Sequence, residues 1–200
     1  MSSQEFKPQS ICVFCASSVG TTDVYIKAAK NTGKMLAKLN IRTIYGGGKV
    51  GLMGALADGA IEKNGKVTGI IPSFMTPHEI AHQGISELIV VESMHERKML
   101  MHEQSDAVIT LPGGFGTFEE LFEILTWIQL GLFKKPVGIL NVNGYYDHLE
   151  KQLDHMADEG LLRKEHRPLI FFSDNLDSIM NHFKNFKPSR SIFELLKDQT

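Results

Sequence analysis

A glycine-rich stretch followed by two carboxylates is the segment of this chain best suited to chemistry. Leu111-Pro-Gly-Gly-Phe-Gly-Thr-Phe-Glu-Glu120 places Gly113, Gly114 and Gly116 between two apolar runs. This pattern predicts a strand that turns directly into a helix, and the unpaired N–H groups and positive dipole end of such a helix favour a bound phosphate. Glu120 follows one turn inside. The combination indicates chemistry on a phosphorylated substrate, in which the glycines fix the phosphate and the carboxylate acts on a nearby bond.

The same segment has a purely structural interpretation. Thr117 and Glu120 match a capping box, in which the threonine hydroxyl accepts from the N–H three residues on and the glutamate reaches back. The helix would then run over residues 118–130. Because Glu119 supplies a second carboxylate, capping and chemistry need not use the same residue, and the local spacing leaves both interpretations open.

A second charged motif, Met94-His-Glu-Arg-Lys98, opens another predicted helix. Ser93 and Glu96 match a capping box that fixes its start. Arg97 and Lys98 then lie near the positive end of the helix dipole, which disfavours cations unless an anion is nearby. This favours a functional role for the two cations, although a solvated helix face would carry the same pair.

Two further motifs resemble metal and redox sites. His95-Glu96 begins the H-E-x-x-H pattern of zinc helices, but residue 99 is methionine where that pattern needs histidine, so no metal site is predicted. His102 is expected at the surface. Cys12 and Cys15 lie within a predicted strand, where positions three apart point to opposite faces. We therefore expect two buried thiols and no disulfide.

Gly46-Gly-Gly48-Lys-Val-Gly51 fits the G-x-G-x-x-G pattern of dinucleotide-binding turns. A dinucleotide site also needs an acidic residue about twenty positions later, and residues 66–76 contain none, so an NAD enzyme is disfavoured. The Walker A pattern fails because no Ser or Thr follows Lys49. Two interpretations remain: glycines for a tight turn and close helix packing, or a loop that faces a phosphate or a ribose.

Predicted strands and helices alternate along the chain and position these motifs. The strands are residues 11–16, 41–45, 66–71, 88–92, 107–111, 136–141 and 169–172, and the helices are residues 23–39, 52–62, 93–104, 118–130, 146–157 and 176–183. This order predicts an α/β, Rossmann-like, doubly wound and mostly parallel sheet with helices on both faces. Ligands bind such sheets beyond the carboxyl ends of the strands. Residues 72–86 form a long loop, which is expected to be functional.

Composition limits the class of protein and of partner. The chain has 200 residues, 42% of them hydrophobic and 22% charged, which is sufficient for one domain with one sizeable core. Residues 1–10 form a polar leader and residues 184–200 a tail of undetermined order. A net charge of -2 gives no case for nucleic acid or an acidic membrane surface, so the expected partner is a small molecule. Without a long apolar run, we expect a cytoplasmic protein.

These motifs resemble those of the LOG ("Lonely Guy") family of cytokinin riboside 5'-monophosphate phosphoribohydrolases. Residues 111–120 fit the family signature P-G-G-x-G-T-x-x-E, and Met94-His-Glu-Arg-Lys98 fits its second motif. The similarity extends from about residue 11 to residue 172 and includes Gly51-Leu-Met-Gly54 and Thr126-Trp-x-Gln-Leu-Gly131. It implies hydrolysis of the N-glycosidic bond of AMP or an N6-isopentenyl-type AMP, which releases the free base and ribose 5-phosphate. It implies neither a metal nor another cofactor.

The resemblance also assigns roles to individual residues. Arg97 and Glu120 would be the catalytic pair. The phosphate and the rest of the nucleotide would be held by Glu79, Met94, Lys98, Gly113, Gly114, Phe115, Gly116, Thr117, Glu119 and Thr126. The chemistry agrees with this assignment, because a carboxylate beside the sugar can stabilise an oxocarbenium-like state and deprotonate water. Arg97 has too high a pKa to be a base and would position Glu120, the ribose hydroxyls or the phosphate.

Two alternative functions remain open beside this hypothesis. The main alternative is a nucleotide-binding or sensing module on the same fold without turnover, and an NAD-dependent oxidoreductase is a weaker one.

Residues 118–130 carry apolar side chains on nearly every face, and a helix that is apolar all round is buried. Since the start of this helix must stay open to substrate, we expect its other end to pack at a homodimer interface, in line with the family.

Overall fold

The computed structural model describes residues 5–78 and 81–197. The strands are β1 (Ser10–Phe14), β2 (Arg42–Tyr45), β3 (Val67–Pro72), β4 (Glu87–Val91), β5 (Ala107–Thr110), β6 (Val137–Leu140) and β7 (Ile170–Ser173). The α-helices are α1 (Asp23–Lys38), α2 (Gly51–Ile61), α3 (Met94–Glu103), α4 (Phe115–Gln129), α5 (Asp147–Asp158), α6 (Leu176–Lys184) and α7 (Ile192–Lys197). Each predicted element is present. The largest boundary difference is the start of α4, and α7 lies in the tail whose order the sequence left undetermined.

All seven strands are parallel and form one sheet in the order β4-β3-β2-β1-β5-β6-β7. The chain therefore winds outwards from β1 to β4, returns to the other side of β1, and winds outwards again from β5 to β7. The strand order reverses between β1 and β5, which pair from Ile11–Ala107 to Phe14–Thr110. This confirms the predicted doubly wound sheet and places its ligand-binding crevice beyond the carboxyl ends of these two strands.

Helices cover both faces of the sheet, as predicted. Helices α1, α2 and α6 pack on one face, where Leu36, Leu56 and Phe183 are buried. Helices α3, α4 and α5 pack on the other face, where Met101 and Leu121 are among the buried residues. Because both faces are covered, strands such as β1 are buried along their whole length and read as continuous apolar runs.

Small residues hold α1 and α2 close together and thereby fix the start of α2 beside the crevice. A Cβ at Gly33 of α1 would lie 2.0 Å from the Leu56 carbonyl oxygen, and a Cβ at Gly59 of α2 would lie 2.1 Å from the Lys30 carbonyl oxygen. Side chains at either position would therefore push the two helix backbones apart.

The long loop predicted at residues 72–86 contains a 3-10 helix, Ser73–His78. An isolated bridge joins Ala81 to Gly48, and the His82 N–H donates to the Gly47 carbonyl at 2.9 Å. This attachment holds the loop over the glycine-rich turn after β2. Within the described ranges, no helix combines the length and the apolar composition that a bilayer-spanning helix needs.

Candidate functional site

A cavity of about 340 Å³ lies at the predicted crevice, beyond the carboxyl ends of β1 and β5. Elements from both windings of the sheet contribute to its wall. The lining residues come from β1 (Val13), the turn after β1 (15–18), the turn after β2 (Gly46 and Gly48), α2 (Met53), the long loop (Met75), α3 (Met94 and Arg97) and the start of α4 (114–117, Glu119 and Glu120). The two motifs that the sequence singled out therefore meet in one cavity.

Helix α4 begins at Phe115, three residues before the predicted start, and its N-cap is Gly114. No side chain caps the helix, and Thr117 lies inside its first turn. Of the two interpretations that the spacing left open, the Thr117–Glu120 capping box is therefore excluded. The reason lies at Gly113, where a Cβ would be 2.0 Å from the Thr117 hydroxyl oxygen, so only glycine lets the threonine fold back over the turn.

The uncapped start of α4 is open towards the cavity. A Cβ at Gly114 or Gly116 would have no atom within 4 Å, and the Phe115 side chain is 97% exposed. The first N–H groups of an α-helix have no partner within the helix, and the N-cap residue Gly114 supplies no side-chain partner here. Together with the helix dipole, these groups form a surface suited to an anion such as a phosphate.

Arg97 and Glu120 form a buried ion pair in the cavity wall. The guanidinium Nη2 lies 3.5 Å from the Glu120 carboxylate, and the two residues are only 8% and 7% exposed. A Cβ at Gly46 would lie 2.0 Å from the same Nη2. The glycine after β2 is therefore required so that Arg97 can reach Glu120 beneath the turn.

Burial sets the protonation behaviour of Glu120. Loss of solvent raises the pKa of this carboxyl to about 7, with the positive charge of Arg97 acting in the opposite direction and Glu119 adding to the rise. The group therefore changes charge near neutral pH, which is the range in which a carboxyl can both accept and return a proton.

Arg97 retains hydrogen-bonding capacity for a ligand. Besides its ion pair with Glu120, its Nη1 contacts the Met94 sulfur at 3.6 Å and its Nη2 reaches the Gly46 carbonyl at 3.5 Å. The buried Nε has no hydrogen-bond partner within the described residues. An unpaired buried donor on a cation is costly, so this geometry favours an oxygen-rich ligand in the cavity.

Lys98 lies beside the site but is not among the residues that line the cavity. Its buried ammonium group forms ion pairs with two carboxylates of α4, Glu119 and Glu123, the latter at 2.9 Å. Burial alone would lower the pKa of Lys98, but the hydrogen bonds to these carboxylates outweigh it and the pKa is raised. Of the three, Glu119 lines the cavity, so Lys98 can act on a ligand through this neighbour.

The predicted ligand residue Thr126 is not among the residues that line the cavity. Thr126 lies nine residues beyond Thr117, about 14 Å along α4, and its hydroxyl donates to the Phe122 carbonyl at 2.7 Å. Glu79 lies outside the described residues. Gly113 is not among the lining residues. The sequence-predicted residues that do line the cavity are Met94, Arg97, Gly114, Phe115, Gly116, Thr117, Glu119 and Glu120.

The glycine-rich turn after β2 serves close packing. Gly51 has φ 63°, and a Cβ there would lie 2.2 Å from the carbonyl carbon of Ser17. The N–H groups of Leu52 and Met53, at the start of α2, donate to the carbonyl of Ala16. Because backbone acceptors already occupy these donors, the start of α2 is not available to a pyrophosphate in the way that the dinucleotide pattern requires.

Met53 and Met75 were not among the predicted site residues, yet both line the cavity together with Met94. Methionine side chains are flexible and polarizable, so they can pack against apolar groups of different shapes. Met53 lies in the quoted motif Gly51-Leu-Met-Gly54, which is the one sequence signal that could have located it.

Two further expectations, for His102 and for the two cysteines, have opposite outcomes. His102 is fully buried between the rings of Phe14 and Trp127, so the expected surface position is wrong. Its burial, followed by the nearby lysine charges, lowers the pKa of its imidazole to about 3. Cys12 and Cys15 are free buried thiols in the cores on opposite faces of the sheet, as predicted, and burial raises both pKa values.

Comparison with known proteins places this chain among nucleotide-acting relatives. A protein-family model described as "possible lysine decarboxylase" matches residues 53–183. Cytokinin riboside 5'-monophosphate phosphoribohydrolase LOG2 from Arabidopsis thaliana is 44% identical over 183 residues, which cover 92% of this chain and 86% of that protein. The probable cytokinin riboside 5'-monophosphate phosphoribohydrolase LOGL2 from Oryza sativa subsp. japonica is 44% identical over 179 residues, covering 89% of this chain and 73% of that protein.

Solved structures share the fold at lower identity. A molybdenum cofactor binding protein from Rippkaea orientalis superposes with a TM-score of 0.67 at 23% identity, covering 90% of this chain and 97% of that chain. The molybdenum cofactor carrier protein from Chlamydomonas reinhardtii gives a TM-score of 0.66 at 19% identity, covering 90% and 98%. At these identities the likeness concerns the fold alone.

Proposed function

We propose the following reaction for this chain, which belongs to the LOG family of cytokinin riboside 5'-monophosphate phosphoribohydrolases. The protein hydrolyses the N-glycosidic bond of AMP or of an N6-substituted AMP. The products are a free adenine-type base and ribose 5-phosphate. One observation carries this proposal: the buried pair Arg97 and Glu120 lines the same cavity as the uncapped start of α4.

The phosphate is proposed to bind at the glycine turn. Gly113 gives the turn its shape, and the N–H groups of Gly114, Gly116 and Thr117 are the candidate donors, supported by the dipole of α4. Phe115 would lie at the cavity mouth beside the bound nucleotide. Such an anchor fixes the distance between the phosphate and the reacting sugar carbon, which converts binding energy into correct orientation.

Glu120 is proposed to act on the sugar carbon. The bond between C1' and the base nitrogen breaks with its electron pair leaving on the base, water adds to C1', and the base regains a proton. The ionised carboxylate stabilises the oxocarbenium-like state and accepts the proton of the attacking water. Arg97 holds this carboxylate and offers its remaining donors to the ribose hydroxyls or the phosphate.

The base is proposed to lie against the methionines of the cavity wall. Met53, Met75 and Met94 come from three separate elements and all line the cavity. Such a wall suits an adenine ring with or without an apolar N6 substituent, since methionine adapts to either shape. Glu79, in the same long loop as Met75, remains a candidate for this part of the site.

A direct assay tests the proposal. The purified protein is incubated with AMP and, in parallel, with isopentenyladenosine 5'-monophosphate, and free base is followed by chromatography. Faster release from the isopentenyl nucleotide indicates cytokinin activation, and comparable or faster release from AMP indicates nucleotide salvage. If neither nucleotide yields base while both bind, the hydrolase proposal fails and the nucleotide-sensing module replaces it.

A homodimer is proposed at the far end of α4. Within the single chain α4 is buried on one side, where Leu121 and Ile124 lie, while Phe122 and Thr126 are exposed. A groove of about 150 Å³ between α4, α5 and β7 adjoins these two exposed residues. A second copy packed here would cover the apolar surface and leave the start of α4 open.

Light scattering tests the dimer. The wild-type mass should be about twice the chain mass of 22.3 kDa, and Phe122→Glu should lower it towards that value. Leu39→Glu, at an exposed apolar residue that follows α1, is the matched control and should keep the wild-type mass. A wild-type protein with the mass of one chain would contradict the proposal.

A cytoplasmic location likewise remains a prediction, to be tested by imaging a fluorescent fusion.

A further inference from the structure

Two consecutive tyrosines hold the carbonyl side of the glycine turn. The Tyr145 hydroxyl donates to the Gly113 carbonyl at 2.8 Å, and the Tyr146 hydroxyl donates to the Leu111 carbonyl at 2.8 Å. Both tyrosines lie between β6 and α5, and neither lines the cavity. They therefore contact the turn from outside the site, and neither the sequence motifs nor the reaction proposed above assigns them a role.

The peptide unit between Gly113 and Gly114 connects this contact to the cavity. In a trans peptide the carbonyl oxygen and the N–H point in opposite directions. Because Tyr145 holds the Gly113 carbonyl, the Gly114 N–H is directed away from the tyrosine, and Gly114 lines the cavity. A flip of this peptide would break the tyrosine hydrogen bond and turn the negative end of the carbonyl towards a bound anion.

The tyrosines are themselves held in place. The Tyr146 N–H donates to the Asn141 side chain at 2.7 Å, and the two tyrosine rings meet edge to face at 4.9 Å. The Tyr145 ring also packs edge to face against Tyr25 at 5.8 Å, and the Tyr146 ring contacts Phe118 of α4 at 5.7 Å. The Tyr146 ring is buried, and the Tyr145 ring, which is 40% exposed, is packed by its two tyrosine neighbours. Rings held by such packing lose less freedom when their hydroxyls bond, so they are suited to holding a backbone in one orientation.

We propose that Tyr145 and Tyr146 are positioning residues for phosphate recognition, which fix the glycine turn so that its N–H groups face the phosphate of the substrate. This inference rests on the proposed phosphate-binding role of the turn. The tyrosines do not touch the ligand. Their effect is transmitted through the backbone carbonyls of Leu111 and Gly113.

The test measures binding of ribose 5-phosphate, by calorimetry, to the wild type and to Tyr145→Phe, which keeps the ring and removes the hydroxyl. Loss of one neutral hydrogen bond predicts binding that is about two- to tenfold weaker. The KM for AMP should rise by a similar factor with kcat and its pH profile unchanged, because Glu120 is untouched. Tyr25→Phe is the matched control, since it removes a hydroxyl from the ring that packs on Tyr145, and it should bind as the wild type does.

Several outcomes would overturn the inference. They are unchanged binding of ribose 5-phosphate in a folded Tyr145→Phe protein, an equal loss of binding in Tyr25→Phe, or a shifted pH profile of kcat in Tyr145→Phe. The last outcome would mean that the tyrosine acts through Glu120.

Tyr146→Phe leaves the buried Leu111 carbonyl without its donor, so its thermal unfolding is measured beside its binding. Failure of the wild type to release base would sink only the hydrolase proposal, because ribose 5-phosphate binding tests the tyrosines independently. A wild type that does not bind ribose 5-phosphate would contradict both the phosphate site and the tyrosine inference.

Discussion

The proposed activity of Glu120 depends on a balance between two effects. Burial favours the neutral carboxyl, and the neighbouring arginine favours the charged carboxylate. Burial raises the pKa of this carboxyl to about 7, and Arg97 limits that rise. If the ionised form is the active one, the rate rises with pH on the acid side, with a midpoint near pH 7. A pH profile of kcat/KM with AMP, which reports the free enzyme, checks this, and a value that falls as the pH rises through 7 would contradict the role of base.

Arg97 offers a second test at the same scale. Arg97→Gln removes the charge that lowers the pKa of Glu120, so the acid limb of the profile should move to higher pH and the maximal rate should fall. Arg97→Lys keeps the charge but loses the planar fork, so its limb should stay closer to that of the wild type. Profiles of the two variants decide the matter. A limb that moves to lower pH in Arg97→Gln would count against electrostatic control of Glu120.

The turns contribute at the scale of the elements, because they determine where helices begin. Gly46 and Gly51 belong to one glycine-rich turn but have different neighbours. A Cβ at Gly46 would meet the end of the Arg97 side chain, whereas a Cβ at Gly51 would meet the backbone of Ser17 at a residue with φ 63°. The first neighbour is a flexible side chain and can move, but the second cannot.

This difference predicts opposite phenotypes for two alanine variants. Gly46→Ala should displace Arg97 and lower kcat with little change in the unfolding temperature. Gly51→Ala should lower the unfolding temperature, since strain at positive φ and a backbone clash together cost about 1 to 3 kcal/mol or more. Thermal unfolding and AMP hydrolysis, measured on both proteins, check the prediction. A large loss of stability in Gly46→Ala would contradict the packing argument.

Most elements follow from the sequence, and the start of α4 shows why one did not. The alternation of apolar strands with amphipathic helices was sufficient to predict the parallel sheet and its two covered faces. Thr117 matched a capping pattern, but spacing alone does not reveal that Gly113 and Gly114 let the helix begin earlier at Phe115. His102 was misplaced for a related reason, since a polar residue near a helix end gives no sign of the aromatic rings around it.

For the whole molecule, the pKa of Glu120 links the site to stability. The folded-state pKa of about 7 exceeds the ordinary value of 4.5, so the folded protein holds this proton from pH 4.5 to 7 while the unfolded chain has lost it. Stability from this group is therefore present at low pH and is lost as the pH rises to 7. The cost at higher pH is about 3 kcal/mol by the usual conversion, as an order of magnitude.

Glu120→Gln removes this ionisation and gives the corresponding prediction. The variant should be more stable than the wild type at pH 8.5 and should lose most of that advantage at pH 5. Chemical unfolding at the two pH values measures the difference. An equal advantage at both pH values would contradict the burial of an ionisable carboxyl.

We also expect one cooperative unfolding transition, because both hydrophobic cores share one sheet, as proposed for a single domain.

The sequence could predict the pairing of two distant motifs in one site because both follow strands whose carboxyl ends share an edge. Arg97 and Glu120 belong to α3 and α4, and the doubly wound order brings these helices to the same crevice. The sequence could not predict that Lys98 pairs with Glu119 and Glu123, because such contacts depend on helix packing rather than spacing. It likewise did not reveal the contact of Tyr145 with the glycine turn, because this hydrogen bond joins residues 32 positions apart.

The most direct test of the hydrolase proposal compares Glu120→Gln with the wild type in two assays on the same AMP. Release of adenine should fall by about 10²- to 10⁴-fold, the usual contribution of a positioned acid or base, while the dissociation constant for AMP stays within about threefold. Full activity in the folded variant would contradict the assignment of Glu120. Loss of AMP binding in parallel with activity would show that this residue holds the nucleotide instead of acting on its glycosidic bond.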